Sequence, residues 1–331
     1  MWKVIQAAVQ GRGHTKMMIP CQDKTYSLFQ NGVSSVALAD GAGSARLSHF
    51  GAEHITKYIS EYMSEHFEEL FANDDGASVK MTLDSNIKEQ ISRLSKKLEC
   101  EPYDLASTLL SVAVKDNRYI VLHFGDGVIG YSRNGEIGTA TKPENGEFAN
   151  TTVFTTSSDA LSTLKLLKGS LNGIDGFVLM SDGSETSLYD KRNNKPSDAF
   201  TRIMRIMKYV PSQKVEEQLT HSLFSVIRYA TTDDCSIVIM TNIDNEFNGY
   251  LSLSHNEKMD LLGFDSNQNH SATRFKHCDD ILNALVHPQT VKRLAKQVHV
   301  KQKYITKYLN RLLELNYIES CGDSYHTIIT M

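Results

Sequence analysis

One feature constrains this chain more than any other: an apolar run that ends in a carboxylate followed by glycine. Residues Val36 to Ala39 are small or apolar, lack helical spacing and lead directly into Asp40-Gly41. We interpret this run as a buried strand that leaves its sheet at Asp40. Because a carboxylate at a buried strand end is costly without a counter-charge, the pattern predicts a positively charged partner for Asp40.

The same pattern recurs along the chain. A single Asp-Gly pair is the commonest hairpin signal, as at Asn134-Gly135, which we interpret as a plain turn. However, apolar runs also lead into Gly125-Asp126-Gly127 and Ser181-Asp182-Gly183, and Asp233-Asp234 directly precedes the apolar run 235–240. These repeated acidic strand ends predict a common cleft, provided that the fold brings the ends together.

The order of the predicted elements indicates an α+β fold with mostly antiparallel sheets. Two sheets packed face to face, with helices outside, would bring the strand ends to one edge. We expect a flexible basic loop at 11–16 and a mobile polar excursion at 140–175. The other predicted elements are strands at 2–9, 26–29, 36–39, 119–124, 176–180 and 235–241, and helices at 47–71, 83–98, 198–208 and 214–229.

Composition restricts the class of protein. The chain has 331 residues, 40% of them hydrophobic, and a net charge of −4, which favours a folded protein that is not an obvious polyanion binder as a whole. The five cysteines lie at positions 21, 100, 235, 278 and 321 and form no Cys-x-x-Cys pair. This spacing argues against a disulfide framework or a zinc knuckle. Without a signal-peptide core or a membrane-spanning run, we expect a cytoplasmic protein that does not associate with membranes.

The acidic strand ends indicate a particular chemistry. Carboxylates clustered without cysteine suit Mg²⁺ or Mn²⁺, which prefer oxygen ligands. Two such ions about 3.5–4 Å apart can clamp a phosphoryl group and activate a water, so that no side-chain nucleophile is needed. The sequence contains no Gly-x-x-x-x-Gly-Lys, Gly-x-Ser-x-Gly or His-Glu-x-x-His motif. These observations predict metal-assisted hydrolysis of a phosphate ester.

Several motifs occur in an order that resembles the metal-dependent serine/threonine phosphatases of the PPM, or protein phosphatase 2C, family. The resemblance covers about residues 1–243, is nearest to a bacterial branch, and implies a central β-sandwich flanked by helices. The motifs are Cys21-Gln22-Asp23, Ala39-Asp40-Gly41-Ala42-Gly43, Ala106-Ser107-Thr108, Phe124-Gly125-Asp126-Gly127, Gly-Glu-Phe-Ala-Asn at 146–150, Ser181-Asp182-Gly183 and Asp233-Asp234-Cys235-Ser236-Ile237.

The resemblance implies a role for each acidic residue. Asp40 would bridge two Mn²⁺ or Mg²⁺ ions, and the carbonyl of Gly41 would bind the second ion. Asp182 and Asp233 would complete the first metal site, and Asp23 would hold water on the second ion. The catalytic set implied in this way is Asp23, Asp40, Asp182 and Asp233.

Three further assignments are less direct. Asp126 would match the labile third-metal site of bacterial members. Ala42 stands where many family members have a histidine, but many bacterial relatives lack it too, so activity is still expected. The family's phosphate-binding arginine has no clean match, and the candidates are Arg12, His14 and Lys16.

The C-terminal quarter resembles a different kind of domain. We predict a phosphatase domain at 1–243, a linker at 244–273 and a domain at 274–331 with three helical runs and a hairpin, similar to a winged helix-turn-helix. In the predicted recognition-type helix, Lys303, Lys307 and Arg311 would face outward and bind DNA or a protein partner. Its predicted core-facing residues are Tyr304, Ile305, Tyr308, Leu312 and Leu313.

Three functional hypotheses follow. The first is a protein serine/threonine phosphatase that acts on phosphoproteins made by a cognate kinase. The second is a pseudophosphatase, a sensor that controls the winged-helix module, although the intact Asp40, Asp182 and Asp233 set argues against it. The third is a two-metal nuclease that carries a DNA-binding domain.

Overall fold

The computed structural model describes residues 1–142, 152–243, 249–264, 271–329 and 331. The chain forms two compact units. The larger unit comprises Trp2–Met204 and Glu216–Asn242, and the smaller comprises Met1, Arg205–Val215 and Ile243–Met331. The predicted limits at 243 and 274 differ from this division, because they leave 205–215 with the larger part and assign 249–264 to a linker.

Most of the elements that precede residue 243 belong to the larger unit. Two helices, Ala199–Tyr209 and Ser212–Ser225, each contribute residues to both units. The elements are β1 Trp2–Val9, α1 Arg12–Met17, β2 Lys24–Gln30, β3 Val33–Ala39, α2 Ser48–Glu65, α3 Phe67–Ala72, α4 Gly76–Leu98, β4 Leu109–Lys115, β5 Arg118–Phe124, β6 Val128–Arg133, β7 Glu136–Thr141, α5 Ala160–Thr163, β8 Lys165–Ser170, β9 Ile174–Met180, α6 Asp182–Leu188, β10 Tyr189–Asp190, β11 Lys195–Pro196, α7 Ala199–Tyr209, α8 Ser212–Ser225 and β12 Cys235–Asn242.

Two five-stranded antiparallel sheets form the larger unit, in the orders β1-β12-β9-β6-β7 and β2-β3-β4-β5-β8. Alternate residues of β3 serve two cores, as the two-residue period of a strand requires. Leu38 packs in one cluster with Leu179 and Val238 of the other sheet. Ala37 packs in a second cluster with residues of α2 and α4, including Ile55. The predicted α+β sandwich flanked by helices is confirmed.

Two predictions about local structure are wrong. Residues 11–16 are not a loop, because Arg12–Met17 forms α1. This helix has no apolar periodicity, and it is held from outside by a hydrogen bond from the Gly11 amide to Asp234. The predicted excursion at 140–175 contains β8, which pairs with β5 and packs Leu166 against the core. The motif at 146–150 lies outside the described residues.

The smaller unit contains helices and a three-stranded sheet in the order β13-β15-β14. Its core includes Leu294, Ile305, Leu309 and Leu312, all fully buried. Tyr304, predicted to face this core, is 48% exposed because it lies one position out of the 305-309-312 stripe. No helix in the described ranges is long and apolar enough to cross a membrane. The elements are α9 His255–Leu261, α10 Ser271–Ala284, β13 Gln289–Thr290, α11 Val291–Gln297, α12 Gln302–Glu314, β14 Ile318–Cys321 and β15 Ser324–Thr327.

Candidate active site

Five aspartates lie at the ends of strands in the larger unit. Asp40 follows β3 and Asp126 follows β5, while Asp182 is the first residue of α6, with one residue between it and the end of β9. Asp23 directly precedes β2, and Asp233 lies just before β12. The charges of the other four aspartates all act on Asp40, so the fold brings the predicted acidic residues together.

The loop at Asp40 is held by the segment 106–108. The Asp40 amide donates to Thr108 Oγ1 at 2.9 Å, and the Thr108 amide donates to the Asp40 carbonyl at 2.8 Å. The Ala42 amide donates to the Ala106 carbonyl at 2.9 Å, and an isolated bridge pairs Gly41 with Ser107. This segment therefore fixes the backbone where Asp40 leaves the sheet.

Asp23 is buried beside this loop. Gln22, its neighbour, donates from Nε2 to Ser48 Oγ at 2.6 Å and so anchors the segment to the start of α2. Neither oxygen of Asp23 has a partner with hydrogen-bond geometry in the described part of the chain. Burial raises the pKa of Asp23 to about 7, although the nearby Ser236 and Ser181 hydroxyls lower it in part.

The Asp126 loop depends on a glycine and a histidine. Gly125 has φ +97°, in the left-handed region that favours glycine. His123 is buried and lies 2.9 Å from the Gly125 carbonyl through Nε2 and 2.7 Å from Thr141 Oγ1 through Nδ1. Because burial lowers the pKa of His123 to about 3, the ring is neutral and links the loop to the sheet. The Thr152 hydroxyl donates to Asp126 Oδ2 at 2.6 Å, whereas Oδ1 is buried without a partner in the described residues.

The acidic groups raise one another's pKa values. Burial raises the pKa of Asp182 to about 6, and the charges of Asp126 and Asp233 add to this shift. Burial also raises the pKa of Asp40 well above its usual value, and the neighbouring carboxylates raise it further. Among the described residues, no lysine or arginine forms an ion pair with Asp23, Asp40, Asp126 or Asp182. The cluster therefore lacks the positive charge that its burial demands.

Asp234 has a structural role that the sequence analysis missed. Its carboxylate is buried and accepts hydrogen bonds from the amides of Gly11, at 2.6 Å, and Gln22, at 2.5 Å. His14 Nδ1 lies 2.9 Å from the same group. Asp234 thus ties α1 and the segment before β2 to the start of β12. The only sequence signal was a second aspartate before a buried strand.

The three candidate phosphate-binding residues differ in their environments. Arg12 donates to the carbonyls of Arg228, Tyr229 and Thr231, so its guanidinium holds that turn. His14 is buried against Asp234, and Lys16 is exposed on α1. No contact in the structure tests phosphate binding by any of them, and the assignment stays a prediction.

Comparisons with known proteins agree with this fold. A sequence profile described as protein phosphatase 2C matches residues 10–223. The chain belongs to the protein phosphatase 2C family. This result confirms the resemblance found in the sequence and the expected enzyme class, a protein serine/threonine phosphatase.

Individual relatives support the family assignment. Serine/threonine-protein phosphatase 3 of Escherichia coli K12 is 27% identical over 206 residues, covering 60% of this chain and 80% of that protein. The structure of the S. agalactiae serine/threonine phosphatase matches with a TM-score of 0.52 and 15% identity. The match covers 73% of this chain and 99% of that chain. A Staphylococcus aureus serine/threonine phosphatase has a TM-score of 0.51 and 15% identity, covering 73% and 95%. These two structures show a shared fold.

The residues of this phosphatase fit divalent cations in chemical type. The cluster offers buried carboxylate oxygens, and both oxygens of Asp23 and one each of Asp126 and Asp182 have no hydrogen-bond partner in the described residues. Hard cations prefer such ligands. No group of three or more His, Cys, Asp or Glu in the described ranges is spaced as a finished metal site. The donor set therefore supports metal binding, and the metal-ligand assignments of Asp40, Gly41, Asp126, Asp182 and Asp233 stay predictions.

In the smaller unit, the three predicted binding residues are not equivalent. Lys303 and Lys307 are exposed on α12. Arg311 instead donates to the carbonyls of Leu262, at 2.7 Å, and Gly263, at 2.9 Å. Its guanidinium also lies 4.5 Å from the ring centroid of Phe264. The prediction that Arg311 faces outward with the two lysines is wrong, because its guanidinium is turned onto residues 262–264. These contacts are distant in the sequence, so helical spacing did not reveal them.

Proposed function

We propose that this phosphatase hydrolyses phosphoserine and phosphothreonine in proteins with two bound Mn²⁺ or Mg²⁺ ions. The observation that carries the proposal is the set of carboxylates at the strand ends, several of whose oxygens are buried and lack partners in the described residues. No lysine or arginine in the described residues forms an ion pair with Asp23, Asp40, Asp126 or Asp182. A buried anionic cluster of this kind is stable only with a counter-charge. The phosphoprotein substrate supplies the phosphate monoester.

In this proposal Asp40, Asp182 and Asp233 hold the cations, together with the Gly41 carbonyl. When bound, the metal pair neutralises charge on the phosphoryl oxygens and makes an attacking water more acidic. Asp23 orients that water from its buried position. The hydrogen bonds of Asp40 with Thr108 keep the central carboxylate in place while the substrate binds.

Asp126 has a separate part in the proposal. Its Oδ2 is already occupied by the Thr152 hydroxyl, whereas Oδ1 is unpartnered in the described residues. A side chain with one free oxygen suits a weaker, additional cation site. We therefore assign Asp126 to a third ion that binds more loosely than the main pair.

We also propose that residues 274–331 form a winged helix-turn-helix that binds a partner of the phosphatase. The support is its order of elements, helix, strand, two helices and hairpin, with the first strand pairing with the last. In the wider proposal, this module brings the catalytic unit to its substrates, which a cognate kinase has phosphorylated.

The test compares three substrates with one purified full-length chain. We expect Mn²⁺-dependent hydrolysis of p-nitrophenyl phosphate and of a phosphothreonine peptide, but no hydrolysis of bis-p-nitrophenyl phosphate. Absence of hydrolysis with all three substrates would support the pseudophosphatase hypothesis. Hydrolysis of the diester would support the nuclease hypothesis.

A further inference from the structure

Six exposed basic side chains lie on the two helices α11 and α12 and the turn between them, and we name this set the basic face. All six are exposed, and none forms an ion pair within the described residues. The only acidic residue from 291 to 314 is Glu314, at the last position of α12. The basic face comprises Lys292, Arg293, Lys296, Lys301, Lys303 and Lys307.

This arrangement differs from that on the longest helix in the described residues, α4. On α4, Arg93 pairs with Glu89 at 2.6 Å and Lys88 pairs with Asp84 at 2.8 Å, both at four-residue spacing. On α12, Lys303 and Lys307 have the same four-residue spacing, but with like charge, which is unfavourable by itself. Such a concentration of cations suits a polyanionic ligand.

The rest of the exposed surface of α12 is polar. Gln302, Thr306 and Asn310 are exposed, and Tyr304 is the large ring on this surface, with Lys303 Nζ 4.9 Å from its centroid. A surface with so little apolar area does not resemble the buried core of a protein–protein interface, where charged residues are depleted. Amide side chains such as those of Gln302 and Asn310 are suited to base edges.

The fit of an α-helix into a nucleic-acid groove favours duplex DNA over duplex RNA as the polyanion. α12 has 13 residues, which corresponds to a length of about 20 Å. The major groove of B-form DNA admits an α-helix, whereas the deep, narrow major groove of A-form RNA does not. We infer that the basic face binds duplex DNA, with α12 in the major groove and the lysines of α11 on the phosphate backbone; this inference rests on the proposed winged helix-turn-helix.

The inference excludes two neighbouring features from the DNA contact. Arg311 is engaged with the carbonyls of Leu262 and Gly263, so it belongs to the fold of this unit. The β14–β15 turn carries Asp323 and no lysine or arginine. The contact therefore lies on the two helices rather than on the hairpin.

The experiment measures binding of the full-length chain to a fluorescent duplex of about two helical turns at several salt concentrations. For wild type, we expect affinity to fall steeply between about 50 and 200 mM salt, because each neutralised phosphate releases counterions. For Lys303→Ala/Lys307→Ala, we expect about tenfold weaker binding at low salt and a log–log slope smaller by about 2. The matched control, Lys96→Ala/Lys97→Ala, removes two exposed lysines from the last turn of α4 and should bind like wild type.

A second variant, Lys292→Ala/Lys296→Ala, should also lower the salt slope by about 2, which keeps the test valid if one variant folds poorly. The inference fails if wild type does not bind duplex DNA at about 50 mM salt, or if the α4 control loses as much affinity as the basic-face variants. Binding of an acidic polyglutamate peptide in preference to the duplex would also overturn it. Hydrolysis of p-nitrophenyl phosphate, measured on the same samples, tests the phosphatase proposal separately and should be unchanged in all these variants.

Discussion

The acidic strand ends of the larger unit and the basic face of the smaller unit are both clusters of like charge, but they differ in exposure. Asp23, the most deeply buried of the five aspartates, is 1% exposed, and its oxygens lack partners within the described residues. The other four are partly buried, whereas every member of the basic face is exposed to water. Burial therefore raises carboxyl pKa values in the first cluster, while water screens the charges in the second. The comparison indicates that the buried cluster destabilises the fold until a cation or a proton neutralises it, whereas the exposed cluster is tolerated in water without a ligand.

The largest expected effect follows from the central carboxylate of the buried cluster. Asp40→Asn should lower Mn²⁺-dependent hydrolysis of p-nitrophenyl phosphate by about 10³-fold or more, which corresponds to about 4 kcal/mol in the barrier. An amide cannot neutralise two cations as a bridging carboxylate would. Asp182→Asn and Asp233→Asn should have effects of similar size.

The matched control is Asp198→Asn, because Asp198 is an exposed aspartate that pairs with Lys195. This variant should retain wild-type turnover. Wild-type turnover in Asp40→Asn, at saturating Mn²⁺, would show that the buried cluster is not the metal centre.

A second prediction separates a buried structural carboxylate from an exposed one. Asp234→Ala should lower the free energy of unfolding by about 2–3 kcal/mol, because it leaves the buried amides of Gly11 and Gln22 without an acceptor. Asp190 also accepts two backbone amides, from Arg192 and Asn193, but on an exposed turn. Chemical denaturation of the metal-free protein should show a clearly smaller loss for Asp190→Ala, because water replaces the acceptor on an exposed turn. Equal losses in the two variants would refute the distinction.

Sequence patterns succeeded where the determining information is local. The apolar run before Asp40, closed by glycine, predicted both the strand β3 and its acidic end. The same reasoning located Asp126 and Asp182. The order of the apolar runs and the helically spaced segments also predicted the α+β layout, because that order can be read from the chain alone.

Sequence patterns failed where contacts distant in the chain decide the outcome. The carboxylate of Asp234 binds amides 223 and 212 residues earlier, a relation that no local spacing contains. Helix α1 was missed for the same reason. Arg311 shares a four-residue series with Lys303 and Lys307, but its acceptors on residues 262 and 263 are known only from the folded structure.

The third prediction concerns the edge of the acidic cluster. Asp126→Ala should reduce turnover by about tenfold while the main pair of cations still binds, because Asp126 is assigned to the additional site alone. Calorimetric titration with Mn²⁺ gives the number of ions bound. Thr152→Val removes the hydroxyl that holds Asp126 Oδ2 and should give a smaller loss of turnover. Loss of the main pair in Asp126→Ala would disprove the assignment.

The fourth prediction uses the raised carboxyl pKa values. Folding raises the pKa of the Asp23 carboxyl to about 7. Such a group stabilises the fold fully at a pH below its unfolded pKa, and this stabilisation is lost as pH rises through its folded pKa. The pKa of buried His123 is lowered to about 3, so its effect has the opposite sign, and this effect is only half complete at the unfolded pKa of about 6.5. Burial also lowers the pKa values of His49 and His54. A comparison of wild type with Asp23→Asn in a window from about pH 6.5 to 8 cancels these histidine contributions and isolates the carboxyl of Asp23.

In that window, the metal-free wild type should lose about 1 kcal/mol more unfolding free energy than Asp23→Asn as pH rises. Asp23→Asn should flatten the profile, because its side chain does not titrate. Saturating Mn²⁺ should reverse the trend, since cations compete with protons for carboxylates. A loss in wild type that is no greater than that in Asp23→Asn across this window would contradict the raised pKa of Asp23.

The smallest effect is expected at the exposed cluster. Lys303→Ala/Lys307→Ala should change the free energy of unfolding by less than about 0.5 kcal/mol, because exposed charges contribute little and alanine favours helix. Arg311→Ala removes the donor to the Leu262 and Gly263 carbonyls and should cost about 1–2 kcal/mol. Chemical denaturation of the full-length variants measures both. If the lysine variant lost as much unfolding free energy as Arg311→Ala, the two lysines would contribute to the packing of this unit. They would then not be free surface charges available to a ligand.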